Sequence, residues 1–184
     1  QYAVTVLDAI KECAAVPFNH MPAWYLPVVT FSERGWGFLF HSSNNRLVAR
    51  LALTLTQLFF ARGFRRFMRA QSFDLIISVH PLLLTIPRRI AQTYSPRARF
   101  ATVVADLVDT HRLWFDSKVD ACFVPTADAH THARRRGVPA EKIFHAGLPV
   151  SLKFMDGRGA EMEKRALRAR LGIAPAGATI LLVG

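Results

Sequence analysis

The stretch FDLIISVHPLLLTIPRRIAQTYSPRARFATVVAD, residues 73–106, decides the fold. Its two apolar runs, Leu75–Val79 and Phe100–Ala105, are nearly continuous in hydrophobicity rather than alternating. Strands of a parallel sheet covered on both faces read this way. Between them Leu82–Thr93 reads as a helix. Outward from this unit the pattern repeats. Further strand-like runs fall at Ala3–Leu7, Cys122–Val124, Ile143–Ala146 and Ile180–Val183, with helical stretches at Asn45–Ala70, Asp128–Arg136 and Glu161–Leu171. Such alternation predicts a doubly wound, Rossmann-like α/β domain.

Ligands of these sheets bind beyond the carboxyl ends of the strands. That rule singles out Ser78-Val79-His80-Pro81, Asp106-Leu107-Val108-Asp109 and Gly147-Leu148-Pro149-Val150, each directly after a strand. The segment Ser151–Ala160, with Gly157 and Gly159, reads as a linker. The expected organisation is a domain over residues 1–150, a linker over 151–160 and the opening of a second domain over 161–184.

Of the 184 residues 51% are hydrophobic and 20% charged, which excludes disorder. Lys and Arg number 24 against 13 Asp and Glu, a formal net charge of +11. This balance points to an anionic partner: nucleic acid, acidic lipid or a phosphorylated substrate. Nucleic acid is disfavoured, because the basic residues are interleaved with large apolar groups and no recognition pattern accompanies them. Cys13 and Cys122 fit neither a metal spacing nor a disulfide framework, so no metal is expected and a reducing compartment is. No run reaches the roughly 18 consecutive apolar residues of a spanning helix. Leu51–Ala61 is short, holds Thr54, Thr56 and Gln57, and lies between Arg50 and Arg62. A bilayer, if met, is met at its surface.

Residues 14–45 are an aromatic insertion containing Trp24, Tyr25, Trp36 and Phe38 among Pro17, Pro22 and Pro27. Prolines at this density predict short turns. The helix that follows adds Arg46 and Arg50. Aromatics of this kind with clustered Arg suit an anionic lipid surface. The competing reading makes the aromatics core and the arginines a solvated face.

Four segments in order carry a resemblance: VPFNHMP (16–22), FDLIISVHPLLLTIPRR (73–89), TVVADLVDTHRLWF (102–115) and CFVPTADAHTHARRRGVPAEKIFHAGLPVSLKF (122–154). Together they are similar to the monogalactosyldiacylglycerol (MGDG) synthase and diacylglycerol glucosyltransferase group. The last is shared more widely, including with transferases that make lipid II. The resemblance implies the N-terminal half of a two-domain GT-B glycosyltransferase. Such an enzyme moves a hexose, galactose or glucose, from a UDP-sugar to diacylglycerol with inversion. UDP-sugar is the donor substrate, and neither a metal nor another cofactor is implied. An undecaprenyl-linked acceptor is the alternative.

The resemblance also implies a peripheral enzyme on the cytoplasmic face of a bacterial plasma membrane or on a plastid-type membrane. The family's Gly-Gly-Gly-His loop, which would supply the base, has no counterpart in this sequence, and of its nucleotide-sugar-binding domain only the opening, residues 161–184, is expected here. The chain by itself is therefore expected not to turn over.

Among single residues, His80 belongs at the cleft edge, with a place in the cleft rather than the role of base. Asp106 either orients a histidine or hydroxyl, or caps a helical turn. Trp114-Phe115 faces the core or an acyl chain. The resemblance assigns Pro17, Phe18, Asn19, His111 and Trp114 to acceptor binding. Gly147 and Pro149 form a hinge or only a forced turn. His130 and His132, two apart on a helix, point to different sides and read as surface residues.

Overall fold

In the computed structural model the unit at residues 73–106 is a strand, a helix and a second, parallel strand. The structure describes residues 3–31, 35, 37, 41–152, 161–174 and 176–180. The described strands are β1 (Leu75–Ser78), β2 (Arg99–Val103), β3 (Ala121–Val124) and β4 (Ile143–His145). They form one four-stranded sheet in the order β1-β2-β3-β4, parallel throughout. The described helices are α1 (Ala9–Cys13), α2 (Met21–Phe31), α3 (Arg46–Ala70), α4 (Thr85–Tyr94), α5 (Ala127–Arg135) and α6 (Glu161–Arg170). The chain divides into two compact units, Gln1–Pro149 and Val150–Gly184.

The first unit is the expected Rossmann-like α/β fold. Its sheet order runs in one direction from β1, so the reversal of a doubly wound sheet has no counterpart among the described strands. The core is shared by Phe60, Phe64 and Met68 of α3, Ile86 and Ile90 of α4, Phe100 of β2, Cys122 and Val124 of β3, and Ala129 and Ala133 of α5. Both cysteines are free and buried, and burial pushes the Cys13 thiol up to about 11 and the Cys122 thiol up to about 12. Neither is a reactive thiolate at neutral pH. In the second unit α6 ends on Gly172 at φ +65°, with Ile173 N–H donating to the Arg168 carbonyl at 2.9 Å. A residue without Cβ adopts this left-handed closure at no steric cost.

Three expectations are corrected. Residues 3–7 are not a strand: Val4 is 81% and Val6 90% exposed, and among the described residues β1 pairs only with β2. An apolar run makes a strand only when a neighbour takes its hydrogen bonds. The insertion is not wholly short turns, because α2 is an 11-residue helix that passes through Pro27. Pro22 falls in its first turn, where a missing N–H costs nothing. The short apolar candidate at Leu51–Ala61 is the middle of α3, a helix of 25 residues that by length and composition alone could cross a membrane. One face of α3 is core, with Phe60, Ala61, Phe64 and Met68 buried, and the helix packs on α1 and α4.

Trp36 and Phe38 lie outside the described residues, as do residues 153–160 of the expected linker and residues 181–183 of the expected last strand. Tyr25 is on α2, with its side chain outside the description, and Trp24 on the same helix is exposed.

Candidate functional site

The parallel register delivers the carboxyl ends of all four strands to one edge, and the polar side chains there are held by hydrogen bonds. After β1, His80 caps the turn Pro81–Leu83, its Nδ1 accepting the Leu82 N–H at 3.3 Å. An accepting Nδ1 carries no proton, so the neutral ring is protonated at Nε2. Burial lowers the His80 pKa below its usual 6.5, which keeps the ring neutral. Beneath it Ser78 Oγ donates to the Leu83 carbonyl at 2.8 Å and fixes the turn to the strand.

After β2 the chain forms a loop around one carboxylate. Asp106 Oδ2 accepts the His111 backbone N–H at 3.1 Å and the Trp114 indole N–H at 2.8 Å. The cap of the short helical turn Arg112–Trp114 is His111, whose Nδ1 accepts from Leu113 N–H at 3.2 Å. The remaining His111 proton is thus on Nε2, which donates to Ser43 Oγ at 3.1 Å. Beside it the Arg112 N–H donates to Asn44 Oδ1 at 3.0 Å. Ser43 and Asn44 immediately precede Asn45, the N-cap of α3. A clasp therefore joins the head of α3 to the cleft loop across 68 positions of sequence. The turns Pro81–Leu83 and Arg112–Trp114 pack together, which brings His80 beside this network.

Asp106 therefore organises the loop and orients His111 through its backbone. It is not the cap of a helical turn. Trp114 resolves to the core, at 3% exposure, with its single polar atom on Asp106. Pro17, Phe18 and Asn19 dock elsewhere. The Phe18 ring stacks on Phe59 of α3 at 3.9 Å, and no hydrogen bond among the described residues joins the three to the Asp106 loop. Asn19 Oδ1 is buried without a hydrogen-bond partner there, and an unpaired buried acceptor costs about 1–3 kcal/mol until something donates to it.

Gly147, two residues past the end of β4, has φ +75°, and Leu148 and Pro149 run exposed from it. His130 and His132 sit partly exposed on α5. No group of three metal-binding side chains occurs among the described residues. Ser43 and Asn44 were not singled out by the sequence. Their only signal was a Ser-Ser-Asn-Asn run before a helix, which speaks of capping and not of a partner far along the chain.

A sequence profile described as monogalactosyldiacylglycerol (MGDG) synthase matches residues 1–150. The chain belongs to the MGDG synthase family. A rice (Oryza sativa subsp. indica) relative, "Probable monogalactosyldiacylglycerol synthase 2, chloroplastic", is 32% identical over all of this chain and 39% of its own length. The spinach (Spinacia oleracea) relative, "Monogalactosyldiacylglycerol synthase, chloroplastic", is 31% identical over all of this chain and 35% of its own length. "Monogalactosyldiacylglycerol synthase 1, chloroplastic" of Arabidopsis thaliana is 28% identical over all of this chain and 34% of its own length. The chain thus spans well under half the length of the relatives it matches. The MGDG synthase segment covers the first compact unit and contains both clasped loops.

The two capped histidines give the site a pH signature. Burial lowers the pKa of both His80 and His111, so in acid the unfolded chain takes up protons that the folded chain refuses. Their contribution to stability is complete above the unfolded value of about 6.5 and falls as pH drops through it toward the lower folded values. Urea unfolding at pH 7.5 and 5.5 should show a loss on acidification that shrinks in the His80→Gln/His111→Gln protein. An equal loss in both proteins would assign the effect to other groups.

Proposed function

We propose that this chain is the acceptor-side part of an enzyme that transfers a hexose, galactose by preference, from a UDP-sugar to diacylglycerol. The observation that carries this reading is the junction at the head of α3. At 100° per residue, Leu47, Leu51, Leu55 and Leu58 fall within an arc of about 80° on the helix surface. All four are exposed, at 73%, 58%, 42% and 67%. This apolar stripe begins two residues after Asn45, beside the residues that clasp the Asp106 loop. A lipid drawn from a bilayer under the leucines would reach the cleft edge first.

In this reading α3, with exposed Trp24 and with Arg46 and Arg50, rests on an anionic leaflet. The enzyme is peripheral on a plastid-type or bacterial membrane. His80, whose neutral ring carries its proton on Nε2, serves as a donor to an acceptor oxygen and leaves the role of base to another group. Asp106 and Trp114 set the loop shape, His111 holds it, and Gly147 and Pro149 serve as the hinge. The donor site is assigned to chain beyond these residues, and no metal or further cofactor enters.

The complete gene product, given diacylglycerol in mixed micelles with UDP-galactose or UDP-glucose, should form monohexosyldiacylglycerol. Turnover only of an undecaprenyl-linked acceptor would replace this assignment. Tight, salt-sensitive nucleic-acid binding without vesicle binding would remove it.

The membrane face has its own test. Leu47→Ser, Leu51→Ser and Leu58→Ser change exposed positions, so the fold should persist. Each leucine loses about 1.5–3 kcal/mol of burial in the bilayer if fully inserted, and even partial insertion predicts at least about a tenfold drop in vesicle partitioning for the triple variant. Unchanged partitioning would place the membrane on another face.

A further inference from the structure

We infer that Ser43 and Asn44 are positioning residues through which the membrane contact of α3 sets the shape of the Asp106 loop. The inference rests on α3 being the membrane face, and it adds a route from that face to the cleft.

The head of α3 is weakly held by the rest of the protein. From Arg46 to Leu58 the helix rises about 18 Å, and over that length Ala49 is the single buried residue, with Leu53 packed partly against the core. Phe60, Ala61, Phe64 and Met68, the other buried residues of α3, all belong to its second half. The first turn holds no acid, and Arg46 sets a cation against the positive end of the helix dipole. Asn45 Oδ1 caps the turn by accepting the Leu47 N–H at 2.8 Å. An isolated helix shorter than about 12–15 residues is marginal in water, and tertiary packing normally stabilises it. The exposed Leu47, Leu51, Leu55 and Leu58 would gain that packing on a leaflet. Docking therefore orders the head of the helix, and with it the two residues before its cap.

Those two residues hold the cleft loop at adjacent points. His111 Nε2 donates to Ser43 Oγ at 3.1 Å, and Arg112 N–H donates to Asn44 Oδ1 at 3.0 Å. Within the loop the His111 N–H and the Trp114 indole share one acceptor atom, Asp106 Oδ2. A shift of His111 is thus felt by Asp106 and Trp114 together. Leu107 and Val108, in the middle of the loop, are 49% and 59% exposed. Thr126 Oγ1 donates to the Leu107 carbonyl on one side, and the clasp secures the other. An ordered α3 head keeps the clasp closed and the loop in one shape; a frayed head releases both. This is a two-state element that a bilayer biases through one end and the cleft reads at the other.

The chain is labelled by amide hydrogen exchange, free and with saturating vesicles of three parts phosphatidylcholine to one part phosphatidylglycerol. Exchange is read over residues 107–111, a stretch that excludes Arg112, whose amide Asn44 holds directly. Co-sedimentation measures binding separately, and unfolding midpoints confirm that each variant is folded. On vesicles the wild-type stretch should exchange at least about fivefold more slowly, the lower end of a typical coupling between sites, while α5 is unchanged. Ser43→Ala/Asn44→Ala should still bind at saturation but lose most of that slowing. Ser43→Thr/Asn44→Asp keeps a hydroxyl and an acceptor oxygen and should regain it. Equal slowing in the alanine variant would mean that Leu107 and Val108 meet the bilayer themselves, and would overturn the route. Unchanged exchange in vesicle-bound wild-type protein would overturn it as well, and so would slowing of the same size in α5, which is general shielding. These three outcomes leave the membrane face standing. Failure of the wild-type chain to bind vesicles would overturn both.

Discussion

Replacing Gly63 with alanine is expected to destabilise the first unit by about 3 kcal/mol, at the upper end of what overpacking costs. The residue lies inside α3, where intrinsic propensity alone predicts the opposite sign: alanine is favoured over glycine by about 1 kcal/mol. Packing reverses the sign. A Cβ on Gly63 would sit 2.1 Å from the Cys13 carbonyl oxygen and 2.8 Å from its carbonyl carbon and Cα. These are backbone atoms, so no rotamer change relieves the clash. The end of α1 cannot retreat freely either, because Ala15 N–H donates to the Phe59 carbonyl at 2.8 Å one turn earlier on α3. Moving α1 would also disturb the Phe18–Phe59 stack and with it the Pro17–Asn19 turn. Urea denaturation of the two proteins decides the matter, and a stabilised alanine variant would refute the close approach of α1 to α3.

The four paired strands and the helices α3 to α5 could be read from apolar runs and their spacing, because each is stabilised by burial that its own residues advertise. Residues 3–7 advertise the same thing and yet are not a strand, since pairing depends on a neighbour that the run itself does not specify. The helix α2 was hidden by its prolines. It forms because Pro22 sits in the first turn, leaving only Pro27 to forfeit an internal bond. The site was legible in part. His80 and Asp106 follow from strand ends, a topological rule. The clasp from Ser43 and Asn44 did not, because it joins residues 68 apart and a sequence shows only near neighbours. Trp114 stayed ambiguous between core and ligand because an indole suits both. Its N–H bond to Asp106 decided the question. Gly63 left no trace at all, since a glycine in a helical pattern announces neither the partner it admits nor how close that partner comes.

Removing the carboxylate of Asp116 should cost about 3–5 kcal/mol, the usual consequence of breaking a buried ion pair from one side. Arg88 of α4 is 3% exposed, and its Nε donates to Asp116 Oδ2 at 2.9 Å. Its Nη1 is already buried without a hydrogen-bond partner among the described residues, so the guanidinium has no spare solvation to fall back on. In Asp116→Ala the charge would remain inside with nothing opposite it. The pair also ties α4 to the loop that carries His111 and Trp114, and Asp116 Oδ1 accepts the Lys118 N–H at 3.0 Å within that loop. Ion pairing and local capping are separable. Asp116→Asn keeps an acceptor for Lys118 but loses the charge, and should recover only a minor part of the stability. Arg88→Met removes the buried cation together with its unpartnered nitrogen, so combining it with Asp116→Ala should restore most of what the single change loses. A double variant no more stable than Asp116→Ala would mean that the aspartate acts through the loop alone. A loss below about 1 kcal/mol in Asp116→Ala would match an exposed pair and contradict the burial of Arg88.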